Sequence, residues 1–449
     1  MLLFSPALTG CILLALAASY VWICLASPLR KVPGPWSSLF TSWILKWHEF
    51  RAGRTRYVHR LHLRYGPVVR IAPNEVAFAS GEGVKEIYGS GGSGYDKTEF
   101  YNLFQVYGRR TMFSTLNKQD HAKRKRVLAD RYANTNVMRS ASMGGIRERS
   151  NRFVDRCAKS LGGSIDLFVA FDDSLQNRLF SYYNPGLHGM VKNVLALFSK
   201  PRETPLADNL VLSATSKSDP LEFTLLHRMQ DKNYDLAQLD MAAECTDHMA
   251  AGIDTTGDAL CFLMWEISQP RSLHVQKRLQ DEIRSADPST PFDKLPYLDA
   301  VVMEGLRCFP AIPMSLPRYV PAGGRTIDGY YIPGGTIVSC QAYSTHRIDE
   351  RVFPEPERFQ PDRWLEEAGD LERKRLFFAF ASGGRGCIGK HLALAEMKTL
   401  LIDVYSRYST KPDEAVMTDG DMEMSDQLIS SQPRGQKCWM QLVPLEGSS

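Results

Sequence analysis

Cys387 stands in the segment Phe380–Gly389, FASGGRGCIG, where glycine and arginine fill the positions just before it and glycine returns two places after it. That setting suits a metal-bound thiolate. Glycines let the backbone turn sharply and approach a flat cofactor, and the amides of a helix starting immediately downstream favour an anionic sulfur and lower its pKa. Arg385 could pair with an acidic group on such a cofactor. A buried structural cysteine in a turn is the competing reading. The same loop holds a GxGxxG string at Gly384, Gly386 and Gly389, which makes a dinucleotide-dependent dehydrogenase a rival. That fold needs further βα units after its fingerprint, and too little chain follows Gly389 to build them.

Two more constellations carry chemistry. Glu304 and Arg307 lie three apart on a helical pattern that breaks at Pro310, so they share one face, and Arg358 in Pro356-Glu-Arg358-Phe359 could bring a second guanidinium. In Ala251-Gly252-Ile253-Asp254-Thr255-Thr256, Gly252 and Thr255 are poor choices for the middle of a long helix. Either a kink or a function explains them.

The loop FxxGxRxCxG, with Phe380, Gly383, Arg385, Cys387 and Gly389 in place, resembles the cysteine-ligand loop of the cytochrome P-450 family. Glu304-Gly-Leu-Arg307 resembles its ExxR, Pro356–Phe359 its PxRF, and Ala251–Thr256 its oxygen-binding signature, all in the family's order. The resemblance implies a monooxygenase whose haem iron takes Cys387 as axial thiolate, with Phe380, Gly383, Arg385 and Gly389 shaping the cofactor loop. It implies that Asp254 and Thr255 relay protons, that Arg318 contacts a propionate, and that Glu304, Arg307 and Arg358 form a buried supporting triad. His121 and Lys125 occupy the positions where the family usually has WxxxR, and lysine there lacks arginine's fork. With no flavin or iron–sulfur signature in the chain, the resemblance implies an NADPH-dependent flavoprotein reductase as electron donor. Substrate contacts would come from Tyr95–Phe113, the long helix before Thr255, Ala311–Leu316 and Gln427–Ser430, whose apolar content suits a lipophilic small molecule. The stretches YDKTEFY and DHAKRKRVLADRY look like those of fungal secondary-metabolism members.

The elements that must hold these residues are legible in outline. Hydrophobic residues make up 44% and charged residues 23% of the 449, which fits a globular core and excludes broad disorder. A net charge of +4 spread over that length argues against a nucleic-acid partner. Nine cysteines without CxxC spacing point to reduced thiols. Ala7–Ser27 is apolar and long enough to span a bilayer, and Arg30 and Lys31 follow it, so residues 1–29 are expected to anchor the chain in the endoplasmic reticulum membrane. A single catalytic domain, residues 30–449, would then face the cytosol. The periodicity predicts a basic helix over Arg51–Tyr65, a strand or hairpin over Pro67–Ala79 and a long helix capped by Asp235 and ending at Pro270. It further predicts a helix from Pro296 to Pro310, short hairpins over Arg318–Ser339 and a last helix from His391 to Tyr408. The fold expected is mainly α with small antiparallel β-sheets, the cytochrome P-450 fold, preceded by a transmembrane helix. Gly89–Gly94 reads as a flexible loop. Between about residues 165 and 235 the chain is shorter than the family generally allows, and Ile165–Tyr183 reads as two helical pieces joined. A haem-binding but catalytically impaired variant is therefore the alternative.

Overall fold

The computed structural model describes residues 6–89, 94–159, 163–168, 205–216, 220–231, 236–287 and 289–446, with residues 179, 183, 184, 186 and 234; for 6, 7 and 205–208 only the backbone is described. Among these residues helix dominates. The main core is a bundle built from α1 (Ser140–Lys159), α2 (Gln238–Ile267), α3 (Leu273–Ser285), α4 (Pro296–Cys308) and α5 (Lys390–Tyr405). Leu263, Leu279, Leu298, Val301, Leu401 and Val404, all fully buried, interlock there. Their spacing is the three-to-four-residue stripe that makes a helix amphipathic. Gly305 on α4 allows the closest approach to α2, since a Cβ there would stand 2.8 Å from a methyl of Leu263.

A second layer is a five-stranded sheet. In chain order its strands are β1 (Val68–Ala72), β2 (Glu75–Phe78), β3 (Asp96–Lys97), β4 (Arg318–Tyr319) and β5 (Ile337–Cys340), arranged β1-β2-β5-β4-β3. Its pairings are antiparallel except β2 with β5, which is parallel, so the expectation of purely antiparallel sheet is corrected there. The two strands are far apart in sequence, and nothing local constrains their direction. Arg325–Ile327 and Tyr330–Ile332 form a separate hairpin whose turn places Asp328 (φ 48°) and Gly329 (φ 79°) in the left-handed region, as a two-residue turn demands.

Several boundaries shift. Asp235 lies outside the described residues, and α2 begins at Gln238 with Ala237 at its N-cap and no side chain capping it. The last helix runs from Lys390 to Tyr405, because Tyr408–Pro412 is claimed by pairing with Trp439–Pro444. Ile165 is not helical: Ser164–Asp166 is a strand paired with Trp439–Gln441. Most of the remainder of Ile165–Tyr183, and residues 90–93 of the glycine-rich loop, lie outside the described residues.

At the N-terminus a helix covers Pro6–Ala26, and its stretch Leu8–Ala26 is long and apolar enough to cross a membrane, with almost none of it buried against the body.

Candidate active site

The cysteine loop is held by its own backbone. The Cys387 amide donates to the Phe380 carbonyl at 2.9 Å and that of Gly386 to the Gly383 carbonyl at 3.0 Å, while Gly383 (φ 66°) and Ala381 (φ 54°) make the left-handed turns. Gly389 ends the loop where α5 begins, and a Cβ on it would stand 3.9 Å from the Cys387 sulfur. The sulfur is accessible although protein packs closely around it. The thiol was expected to be acidified by the helix amides. Instead burial pushes it above its ordinary range, and the amides of Gly389 and Lys390 and the Lys125 ammonium only oppose that rise. Deprotonation then has to accompany metal binding, as it does for thiolate ligands generally.

Lys125 reaches this loop from the helix Lys118–Leu128. Its Nζ donates to the Gly384 and Gly386 carbonyls at 3.0 and 2.9 Å, so it holds the loop's main chain. Next to it lies a group of buried bases. Arg385 donates to Asp96 at 3.1 Å and to the Leu116 carbonyl at 3.3 Å, and burial followed by Arg318 lowers its pKa to about 10. Arg318 is 4% exposed, and its Nη1 is buried without a hydrogen-bond partner. His121 is lowered to about 3 by burial, then by Lys97, Arg385, Lys125 and Arg318. Lys97, also 4% exposed, is pushed well below its usual range by burial and by Arg318 and Arg385. Sequence reasoning missed Lys97, although it stands in the quoted stretch YDKTEFY.

On α4 Glu304 and Arg307 are wholly buried and paired through two contacts, 2.8 Å from Nε to Oε2 and 2.9 Å from Nη2 to Oε1. The third member is not Arg358. That side chain is 65% exposed and turns to Glu355, and only its main-chain carbonyl accepts from Arg307. Arg363 supplies the second guanidinium, 3.1 Å from Glu304 Oε1, while Trp364 Nε1 and the Gln360 amide each donate to the carboxylate at 2.9 Å. Five residues after Pro356 the sequence repeats the pattern as Pro361-Asp362-Arg363-Trp364. That repeat was the available signal, and only packing decides which arginine turns inward.

The segment Ala251–Thr256 is continuous α-helix within α2. The Thr255 hydroxyl donates to the Ala251 carbonyl at 2.7 Å, leaving its oxygen free to act as an acceptor. Asp258, one turn past Asp254, is buried, and burial with the Asp254 charge pushes it up to about 8, so it carries a proton at neutral pH. It was not foreseen, though its i, i+4 spacing from Asp254 was visible. Three of the four expected substrate segments meet in one apolar cluster, with Phe100, Tyr101 and Ile429 at its centre and Phe113 and Ile312 packed against them.

A model of the cytochrome P450 family matches residues 187–439. The chain belongs to the cytochrome P450 family. It is 29% identical to the cytochrome P450 monooxygenase orf2 of Aspergillus niger, over 97% of each chain. Similar relatives are the monooxygenases stcB of Emericella nidulans (28%, 93% of this chain and 89% of the relative) and aflV of Aspergillus parasiticus (26%, 93% and 92%). The alignment with the first runs over 496 positions against 449 residues here, so that relative carries segments this chain lacks. Members are oxidoreductases that hold haem iron through a cysteine thiolate. The dehydrogenase rival falls with this membership, and the segment leading directly into the cysteine loop is the helix Asp370–Leu376 followed by irregular backbone, not a strand.

The residues present fit a haem. A thiol on a glycine-lined loop meets the need for an axial ligand. Buried bases around Arg318, whose Nη1 is buried without a hydrogen-bond partner among the described residues, match a cofactor bearing two carboxylates, since a buried donor left unpaired is costly.

Proposed function

We propose that the protein is a membrane-anchored haem-thiolate monooxygenase acting on a lipophilic small molecule, in which Cys387 is the axial ligand. The observation that carries this is the Cys387 loop, whose Arg385 lies close to Arg318, a buried base with its Nη1 lacking a hydrogen-bond partner among the described residues: a soft ligand and a cationic seat side by side. When bound, the haem iron supplies the oxygen activation that no side chain here can perform.

The chain's own residues have separable tasks. Lys125 fixes the carbonyls of the cysteine loop and so orients the sulfur. Arg307 on α4, held by Glu304, which Arg363 also binds, donates to the main-chain carbonyls of Pro356 and Arg358 and so braces that segment. Thr255 offers an acceptor oxygen, and Asp254 with protonated Asp258 forms a carboxyl pair one turn apart that can hold and pass a proton toward it. The aromatic cluster of Phe100, Tyr101 and Phe113 supports an apolar substrate and sheds water from the site.

For electrons the chain depends on an NADPH-dependent flavoprotein reductase, and a role in secondary metabolism rests on the likeness of YDKTEFY and DHAKRKRVLADRY to fungal members, with which the fungal origin of the relatives agrees. The apolar helix supports an anchor over residues 1–29, with residues 30–449 as the catalytic body on the cytosolic side of the endoplasmic reticulum. Trp36, Trp43 and Trp47, all largely exposed just beyond it, suit a membrane interface. The alternative of an impaired variant gains no support from the described residues or from the relatives.

The reduced-CO difference spectrum tests the central assignment. Wild-type protein should give a thiolate-type band and Cys387→Ala should lose it. Wild-type protein that binds no haem, or a variant with an unchanged band, would overturn it.

A further inference from the structure

Asp247, Ala251 and Thr255 stand four residues apart on α2, so they form one row along the helix, with Asp247 about 12 Å from Thr255. Ala251 between them is small and exposed, which leaves the row open. It faces the same space as the cysteine loop. Burial raises the Tyr132 phenol, and Cys245, Glu244, Cys387 and Asp247 add to that rise, while Asp247 opposes the lowering of Lys97 that burial, Arg318 and Arg385 cause. The expected substrate segment Tyr95–Phe113 closes over the Asp247 end. There the Met112 amide donates to Glu244 at 2.8 Å, and the Tyr107 hydroxyl lies 3.2 Å from that of Thr246.

Burial pushes the Asp247 carboxyl up to about 6, against a hydrogen bond from the Thr111 hydroxyl and the charge of His248, so it is ionised at neutral pH. Among the described residues it makes no ion pair: Arg124 and His248 both turn to Glu244, one turn earlier. A carboxylate drawn out of water without a counter-charge is costly, and a cation brought from outside the chain offsets that cost. We propose that Asp247 selects a substrate carrying a basic nitrogen, held as its ammonium at this end of the row with the carbon to be oxidised near Thr255. The apolar cluster of Phe100, Tyr101 and Phe113 then takes the body of the molecule. This names a substrate class within the proposed function and rests on haem binding at Cys387.

The test titrates the haem-loaded full-length chain with phenylhexyltrimethylammonium, a cation that cannot ligate iron, and with the neutral analogue in which a tert-butyl group replaces the trimethylammonium head. Binding of each is followed by the haem absorption. Asp247→Asn should weaken binding of the cation about tenfold or more and leave that of the neutral analogue within about twofold, while Asp247→Glu should keep the cation bound. Equal weakening of both probes, no weakening of the cation, or wild-type holoprotein that does not bind the cation would overturn the proposal while leaving Cys387 ligation intact. Wild-type chain that retains no haem would sink the underlying reading as well. Carbodiimide labelling of wild-type carboxyls, mapped by mass, gives a second readout free of folding effects in a variant: the cation should protect Asp247 more than the neutral analogue does, and equal protection would refute its role.

Discussion

At the scale of single residues the proton path turns on two side chains. The Thr255 hydroxyl already donates to Ala251, so its contribution is an oxygen lone pair at the edge of the site. Thr255→Ala should therefore keep haem and a thiolate-type spectrum yet divert reducing equivalents. With reductase and a turned-over substrate, peroxide formed per NADPH should rise several-fold while product falls, and Thr255→Ser should recover coupling. Unchanged coupling in the alanine variant would remove Thr255 from the mechanism. The motif around Thr255 was plain in the sequence. Asp258 was not, because its raised pKa comes from burial beside Asp254, and burial belongs to packing.

At the scale of elements the informative case is the pair of P-x-R segments after α4. Both present an arginine two places after a proline, yet Arg358 is exposed and Arg363 is 4% exposed in contact with the Glu304 carboxylate. A hydrogen bond to a buried charged group contributes roughly 1.5–3 kcal/mol, and Glu304 keeps its pair with Arg307 when Arg363 is removed. Arg363→Leu should lower unfolding stability by about that amount, read from urea midpoints of the haem-loaded protein. Arg358→Ala should stay within about 0.5 kcal/mol, as exposed substitutions usually do. The reverse order would restore Arg358 to the triad. Helices α2, α4 and α5 were legible to within a few residues because their apolar stripes are long. Their ends were less so: the strand Tyr408–Pro412 shortened α5 through a pairing no local pattern announces.

Over the whole molecule, buried titrating groups make stability depend on pH with two opposing signs. His346 accepts from the Phe378 amide at Nε2 (2.7 Å), and its Nδ1 lies 3.0 Å from the Arg307 carbonyl, which fits the neutral ring alone, and burial lowers its pKa to about 3. Its contribution is complete above about pH 6.5, the unfolded value, and is lost as pH falls toward the folded one. Asp258 works the other way, since its folded pKa near 8 lies above the unfolded value, so its contribution is lost as pH rises through 8. The stability advantage of wild type over His346→Gln should thus shrink from pH 7 to pH 5, and that over Asp258→Asn should shrink from pH 5 to pH 8. Parallel profiles for wild type and either variant would refute the corresponding assignment. What the sequence determined by itself was the chemistry on offer: a cysteine in a glycine-rich turn, a Glu–Arg pair on one helical face, an Asp–Thr step in a long helix and an apolar N-terminal stretch. These are local, because spacing of 1.5 Å per residue along a helix or the freedom of glycine in a turn follows from covalent geometry. Only the tertiary structure decided which arginine entered the triad, that Lys125 serves the cysteine loop, and that Lys97 faces Arg318 across strands more than 200 residues apart. Those choices depend on which charges packing removes from water together, and no run of neighbouring residues encodes that.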